Sequence, residues 1–128
     1  MNLLLDTHAL LWWLTDDPQL SDTARALIAD PDNRVLVSAA SAWEIAIKCG
    51  TGKLTLPEPP TVYVPARIAA NGFEPLPIRI EHVLRTYDLP MHHRDPFDRL
   101  LIAQSVVEDV PLVTADSAMA PYPAALIW

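Results

Sequence analysis

The sequence predicts an α/β fold, a three-layer sandwich in which helices cover both faces of a mainly parallel central sheet of four or five strands. Short apolar runs alternate along the chain with longer segments of helical periodicity, which is the rhythm of βαβ units. The runs NLLL, VLV and PLV are almost continuously apolar, as is typical of strands buried on both faces. With 128 residues and 51% hydrophobic content, we expect one packed domain spanning 1–128.

The first half of the chain contains two predicted strand–helix units. A strand over Asn2–Asp6 precedes two helices, and a second strand over Arg34–Ser38 precedes a third. The three helices are predicted in about 8–15, 21–30 and 41–50. The Pro-rich connector LPEPP at 56–60 follows, and the 13 prolines of the chain lie mostly in such connections, where they do not interrupt the helical patterns.

The second half continues the alternation. Helical segments are predicted in about 61–71 and 80–88, with a short strand around Phe73–Ile78 between them. A helix then opens at the sequence DPFD, and the apolar runs Val110–Ala115 and Ala124–Trp128 come after it. These runs complete a sheet of four or five strands.

The composition limits the functions that the chain can have. It carries 16 acidic and 9 basic residues, and the resulting net charge of −7 argues against a broad basic surface for nucleic acid. A phosphate-bearing substrate would have to be held locally, with help from a metal ion. Cys49 is the only cysteine, which favours a reducing compartment. Because the start lacks a basic leader and no segment approaches the roughly 18 apolar residues of a membrane span, we expect a soluble cytoplasmic protein.

The stretch HRDPFDRLLIAQ at 93–104 places two aspartates three residues apart at the start of an apolar helical run. Asp95 before Pro96 is a good helix cap, and Asp98 in the first turn would lie near the positive end of the helix dipole. Helix capping alone explains both residues. A functional role for either of them needs support from the rest of the chain.

Three further acidic residues supply that support. Asp6 ends the first predicted strand and Asp116 follows the strand VPLVT, so in a parallel sheet both lie at the carboxyl edge, where ligands bind in open α/β sheets. Glu44, like Asp98, is predicted in the first turn of a helix that would begin at the same edge. Carboxylates gathered this way repel one another unless a cation neutralises them. A hard divalent ion with oxygen ligands, Mg²⁺ or Mn²⁺, is the natural partner.

Each acidic residue also has a purely structural interpretation. Ser41 and Glu44 fit the spacing of a capping box, and Glu44 forms an i,i+4 pair with Lys48. Asp116 could be a turn or cap residue. Asp6 is harder to explain structurally, because a charge that ends a buried strand is costly unless it is paired, hydrogen-bonded or bound to metal.

Four segments carry a resemblance to a known family. They are LLLDTHALLWWL, VSAASAWEIAIKCGTGKLTLPEPP, HRDPFDRLLIAQS and VPLVTADSAM. In this order and spacing, the chain resembles the PIN-domain ribonucleases and, within them, the VapC-type toxins of bacterial toxin–antitoxin pairs. The resemblance covers essentially the whole chain and implies that the acidic site residues are Asp6, Glu44, Asp98 and Asp116. It also implies that Asp95 serves as the helix cap.

The activity implied by this resemblance is metal-dependent hydrolysis of phosphodiester bonds in RNA by an endoribonuclease. Asp6 and Asp98 would be the principal ligands of Mg²⁺, with Mn²⁺ as a substitute, and Glu44 and Asp116 would act directly or through water. The resemblance further implies a homodimer and a small antitoxin partner. A pocket of carboxylates should attract a basic segment, and the apolar helix around Trp12 offers a surface for either protein.

The remaining notable residues carry weaker expectations. His92 and His93 lack a partner at zinc spacing, so a solvated loop is expected there rather than a metal site. The tryptophans at 12, 13 and 43 are expected in the core or an interface rather than as base-stacking platforms. Thr114 and Ser117 could hydrogen-bond site carboxylates or simply form a turn. Arg94 and Arg99 could reach RNA phosphates or do nothing specific.

Other function classes fit the sequence less well. A phosphatase of the haloacid-dehalogenase type also has an Asp after its first strand, but its DxD pattern fails here because position 8 is His8. A phospho-acceptor receiver domain needs paired acids near the first strand and a lysine after a late strand, and VTADSA supplies neither. A housekeeping nuclease and a PIN domain kept only as a binding module remain as alternatives, although such modules usually lose part of the acidic set.

Overall fold

The central sheet has five parallel strands, as the sequence predicts. The computed structural model describes residues 1–91 and 95–128, so the expectations for His92, His93 and Arg94 lie outside the described residues. The strands lie side by side in the order β3-β2-β1-β4-β5. Their bounds are β1 (Asn2–Leu5), β2 (Arg34–Ser38), β3 (Glu74–Leu76), β4 (Leu112–Val113) and β5 (Leu126–Ile127).

Within residues 1–91 and 95–128, six α-helices connect and cover these strands. They are α1 (Thr7–Leu14), α2 (Asp22–Ala29), α3 (Ala39–Gly50), α4 (Pro60–Ala70), α5 (Ile80–Arg85) and α6 (Pro96–Glu108). Two short 3₁₀ segments, Thr86–Asp88 and Ser117–Met119, extend the connections after α5 and after β4. In the described part of the chain, no helix has both the length and the apolar character needed to cross a membrane.

The two faces of the sheet carry separate hydrophobic cores, which makes the molecule a three-layer sandwich. Leu3 and Leu5 of β1 point into one core, which also holds the buried side chains Leu10, Ile28, Ile45 and Val64 of the first four helices. Leu4, between them in sequence, points into the other core with Leu101 and Ile102 of α6. This alternation follows from the two-residue repeat of a strand and explains why β1 reads as a continuous apolar run.

The start of α3 differs from the prediction. The helix begins at Ala39, and the hydroxyl group of Ser38 caps it by accepting a hydrogen bond from the backbone N–H of Ala40 at 2.9 Å. The expected capping box of Ser41 and Glu44 is therefore wrong, and Glu44 lies in the second helical turn rather than the first. The reason is that Ser38 both ends strand β2 and caps the helix, so no connecting loop separates the two elements.

Candidate functional site

The carboxyl ends of β1 and β4 lie next to each other in the sheet. Leu5 pairs with Val113, and the backbone N–H of Asp6 donates a hydrogen bond to the carbonyl oxygen of Val113 at 3.1 Å. The pairing thus continues one residue past the end of β1. It places Asp6 beside Thr114, at the sheet edge where the sequence predicts the acidic site.

Asp6 is almost completely buried, with 4% of its surface exposed. It caps α1, because its Oδ1 atom accepts a hydrogen bond from the backbone N–H of Ala9 at 2.7 Å, and it also accepts one from the hydroxyl group of Thr114. Burial raises the pKa of the Asp6 carboxyl group above its ordinary value of 3.8, and the charge of Asp116 raises it further. The two hydrogen bonds and the neighbouring His8 lower this pKa in part.

Thr114 connects Asp6 to the segment that carries Asp116. Its buried hydroxyl group donates to Asp6 and accepts a hydrogen bond from the backbone N–H of Asp116 at 3.0 Å. The half-buried Asp116 side chain in turn caps the segment Ser117–Met119 by accepting from the N–H of Ala118 at 3.0 Å. The structure therefore brings Asp6 and Asp116 into one hydrogen-bonded unit, in which Asp116 also has the cap role that sequence reasoning left open.

Glu44 lies on α3, the helix that packs against the start of α1. Its side chain is buried, and its Oε2 atom lies 2.8 Å from Nζ of Lys48, so the predicted i,i+4 pair is present. One helical turn earlier, the hydroxyl group of Ser41 accepts a hydrogen bond from that of Thr7, the residue after Asp6, at 3.1 Å. This buried contact packs the face of α3 that carries Glu44 against the start of α1.

Asp98 lies in the first turn of α6 and is half-buried. Asp95 caps this helix, as predicted, by accepting hydrogen bonds from the backbone N–H groups of Phe97 at 2.9 Å and Asp98 at 3.2 Å. The ring of Phe97 contacts that of Trp43 edge-on, with 5.1 Å between the centroids. Phe97 precedes Asp98 in sequence and Trp43 precedes Glu44. Their contact therefore places the start of α6 beside α3.

The donor set of this region suits a hard divalent cation. All four predicted side chains offer carboxylate oxygens, and the buried Asp6 already feels the charge of Asp116. Among the described residues, however, the possible metal ligands whose atoms lie within 4.8 Å of one another are not these four carboxylates. They are Glu81, His82 and Glu108.

That second group is held together by an arginine. Arg79 forms salt bridges with both Glu81 and Glu108, and the Nε2 atom of His82 lies 3.0 Å from Glu108 Oε2. The backbone N–H of Arg79 donates to the other ring nitrogen of His82, which leaves the Nε2 proton for Glu108. The guanidinium group therefore already supplies the positive charge, and we interpret this cluster as a structural ion-pair network.

The tryptophans of α1 pack as sequence reasoning expects. The ring of Trp12 stacks on that of His8 and tilts against Trp128, and Trp13 packs beside Phe73. Both are half-buried against the first core. The third tryptophan, Trp43, is not in the core, because 57% of its surface is exposed.

Arg99 has a role that sequence reasoning did not identify. Its position near a helix start is compatible with a phosphate contact, but its guanidinium group donates to backbone carbonyl groups of the segment after α5. No local sequence signal shows this, because the acceptors lie nine to thirteen residues away and are brought near only by the packing of α5 on α6. Ser117, the other polar residue considered, is exposed at the start of its 3₁₀ segment.

Comparison with known proteins identifies one family. The family model for the PIN domain matches residues 3–124. Ribonuclease VapC16 of Mycobacterium tuberculosis is 50% identical over 58 residues, which are 45% of this chain and 41% of the relative. The match therefore spans about two fifths of the length of this curated relative.

Solved structures share the fold over nearly the entire chain. VapBC2 of Rickettsia felis, bound to a DNA fragment from its promoter, matches with a TM-score of 0.72 at 15% identity, covering 99% of this chain and 98% of that one. A toxin–antitoxin complex from Klebsiella pneumoniae and FitAcB from Neisseria gonorrhoeae each match with a TM-score of 0.66, at 18% and 17% identity. Both cover 98% of this chain and 96% of their own.

Proposed function

The chain belongs to the PIN domain family, and from this premise we propose that it is a metal-dependent endoribonuclease that acts as the toxin of a toxin–antitoxin pair. The observation that carries the proposal is the carboxyl group of Asp6, which is buried at the carboxyl edge of the sheet and linked through Thr114 to Asp116. Burying a carboxylate beside a second carboxylate destabilises the fold when no positive charge is bound there. A cation would remove that cost.

Mg²⁺, with Mn²⁺ as a substitute, would be held by Asp6 and Asp98, while Glu44 and Asp116 act directly or through water. When bound, the ion supplies a water of lowered pKa and neutralises charge on the phosphate. The residues of the chain supply orientation. Thr114 and the N–H of Ala9 fix the Asp6 carboxylate, and Asp95 fixes the turn that carries Asp98.

Glu44 has a second proposed function besides ligation. Its buried carboxylate lies 2.8 Å from the ammonium group of Lys48. In this proposal Glu44 also helps to position the attacking water or accepts its proton, the role of a general base. The single domain would cleave RNA that lies along this edge of the sheet. Its one cysteine, Cys49, is not in a disulfide, which agrees with action in the reducing cytoplasm.

A homodimer is part of the proposal, and an exposed apolar surface supports it. Five large apolar side chains of α5 and the segment after it point to solvent, with exposed fractions from 48% for Val83 to 91% for Tyr87. They are Ile80, Val83 and Leu84 of α5, Tyr87 of the following 3₁₀ segment and Met91, which we call the α5 patch. Large apolar side chains exposed together in this way are typical of protein–protein interaction sites.

The charges around the α5 patch favour a second copy of the chain as its occupant. The segment 79–91 carries two arginines and two acidic residues and is neutral within a chain of net charge −7. Arg85 and Asp88 pair with each other within the chain at 3.7 Å, so neither leaves an uncompensated charge beside the patch. Two copies can therefore approach through this face without the repulsion that their net charges would otherwise cause.

The antitoxin would act at the acidic edge instead. A net charge of −7 and the carboxylates of the site attract a basic segment, and an arginine fork could pair with these acids and displace the metal ion. The solved toxin–antitoxin neighbours support a partner of this kind. A housekeeping nuclease without a toxin role and a non-catalytic binding module are the alternatives.

The activity is tested with purified protein and total cellular RNA. We expect cleavage with Mg²⁺, loss of cleavage with EDTA, and loss with Asp98→Asn, which is nearly isosteric and leaves the Asp95 cap intact. Mapping the cleaved ends distinguishes an endonuclease from a trimming activity. Cleavage that survives both EDTA and the substitution would refute the proposed mechanism, and a parent protein that binds RNA without cutting it would favour the binding module.

A further inference from the structure

Arg99 follows Asp98 directly in the first turn of α6, and its half-buried guanidinium group donates hydrogen bonds to other described segments. Its Nη2 atom donates to the carbonyl oxygens of Thr86 at 2.7 Å and Leu89 at 3.3 Å. Its Nη1 atom donates to the carbonyl oxygen of Pro90 at 2.8 Å and to the hydroxyl group of Tyr122 at 3.3 Å. This one side chain therefore joins three parts of the fold.

The first connection holds the chain just after α5. Arg99 supplies charged donors to the carbonyl oxygens of Thr86, the C-cap residue of α5, and of Leu89, the residue that follows the 3₁₀ segment. Only a few residues separate Pro90 from the cap residue Asp95. The chain is thus held shortly before the turn that carries Asp98 and again within it.

The second connection leads to Asp116. Tyr122 is buried, with 4% of its surface exposed, and its backbone N–H donates to the carbonyl oxygen of Met119 at 3.1 Å. The N–H of Met119 donates in the same way to the carbonyl oxygen of Asp116 at 3.1 Å. Arg99 therefore ties the start of α6 to the segment that begins at Asp116.

We propose that Arg99 is a positioning residue that sets the separation of Asp98 and Asp116 and so determines how tightly the site holds a divalent cation. The inference rests on the proposed function, in which these carboxylates surround the ion. The like charges of Asp98 and Asp116 repel each other, whereas a planar guanidinium fork that is bonded to both segments opposes their separation. A lysine keeps the positive charge but lacks this fork, so it cannot satisfy the same set of acceptors.

The experiment measures binding of Mn²⁺ alone, by titration calorimetry, to the full chain and three variants. We expect Arg99→Lys to raise the Kd for Mn²⁺ by about tenfold, the lower end of the effect of residues that orient metal ligands. Tyr122→Phe keeps the buried ring and removes only the hydroxyl acceptor, so it should raise the Kd in the same direction by less. Ile28→Val, in the core on the other face of the sheet, should lower the melting temperature without changing the Kd.

The outcomes separate this inference from the proposed function. If Arg99→Lys and Tyr122→Phe bind Mn²⁺ as tightly as the parent, the positioning role is wrong and the metal site stands. If Ile28→Val weakens binding as much as they do, the effect is one of general stability and the positioning role is again wrong. A parent protein that binds no Mn²⁺ would overturn the metal site itself and this inference with it.

Discussion

Lys48 and Glu44 form an ion pair within α3 in which the carboxylate is buried and the ammonium group is partly exposed, with 2.8 Å between Nζ and Oε2. Lys48 and a bound cation would compete for the same negative charge. We therefore expect Lys48→Met to destabilise the metal-free protein by about 1 kcal/mol, between the values for surface and buried pairs. The same variant should bind Mn²⁺ more tightly, because an uncompensated Glu44 attracts the ion more strongly.

Thermal unfolding with and without Mn²⁺ checks this prediction. The melting temperature of Lys48→Met should lie below that of the parent in EDTA, and the rise on adding Mn²⁺ should be larger than for the parent. Lys53→Met, at an exposed lysine in the loop after α3, serves as the charge-matched control and should change neither quantity. An equal response of the two variants would show that Glu44 does not contribute to the site.

Asp6→Asn should separate stability from activity. The amide oxygen can still accept from the N–H of Ala9, and asparagine caps helices about as well as aspartate. Because burial already disfavours the charge, the variant should melt at the same temperature as the parent or higher. RNA cleavage should fall by on the order of a hundredfold or more, the loss typical of removing one electrostatic stabiliser of the transition state.

The control for this substitution is Asp22→Asn, at an exposed aspartate that is the first residue of α2. It changes the net charge by the same amount and should leave cleavage unaffected. Cleavage at the parent rate by Asp6→Asn, with folding verified by melting, would remove Asp6 from the site.

Local patterns were sufficient to predict most of the fold. The strands that are covered on both faces read as apolar runs, and the sequence DPFD contains its own cap and first turn, so Asp95 and Asp98 could be distinguished before the structure was known. The start of α3 was missed because Ser38 and Ser41 are both plausible caps. The choice between them depends on Thr7, which draws the Ser41 hydroxyl group into a contact across 34 residues of sequence.

Interactions between distant segments account for what the sequence did not reveal. Arg99 looks like an exposed phosphate contact, because nothing in its neighbourhood indicates that the carbonyl group of Thr86 and the hydroxyl group of Tyr122 will approach it. The same holds for the buried His82, whose partner Glu108 is 26 residues away. Residue types and spacing predict an acidic site at the sheet edge. They do not predict which other side chains position the acidic residues.

The Glu108 network predicts a pH-dependent stability. Hydrogen bonding to His82 and the charge of Arg79 lower the pKa of Glu108 below its ordinary value of 4.5. A carboxyl group with a lowered pKa stabilises the fold above its unfolded-state pKa, and this contribution is lost as the pH falls through the lowered value. Since solvent screens the group, Glu108→Gln should cost at most about 1 kcal/mol at pH 7, or about 3–5 °C.

Melting curves between pH 3 and pH 7 give the readout. The difference between Glu108→Gln and the parent should be constant near neutral pH and should shrink below about pH 4.5. Glu81→Gln, at the exposed partner of Arg79, should show a smaller difference at every pH. A difference that grows as the pH falls would have the wrong sign and would contradict the assignment.

The α5 patch predicts the oligomeric state. Leu84→Glu places a charge in the centre of the exposed apolar face, so burial against a second copy would become unfavourable. We expect the parent to sediment as a dimer and Leu84→Glu as a monomer with unchanged helix content. Val62→Glu, at a half-exposed apolar position on α4, is the matched control and should remain dimeric. A monomeric parent at micromolar concentration would refute the dimer.

The toxin role predicts a phenotype that depends on the neighbouring gene. An unrestrained ribonuclease would arrest growth, and a basic antitoxin segment laid over the acidic edge would both block RNA and pair with the carboxylates that hold the ion. Expression of the chain alone should therefore arrest growth, co-expression with its chromosomal neighbour should relieve the arrest, and Asp6→Asn should abolish it without the neighbour. The relief should involve direct contact, so the neighbour should co-purify with the parent protein and protect RNA from cleavage in vitro. Equal growth with and without the neighbour, while the purified chain cleaves RNA, would leave a housekeeping nuclease, because the chemistry would then be present without the need to restrain it.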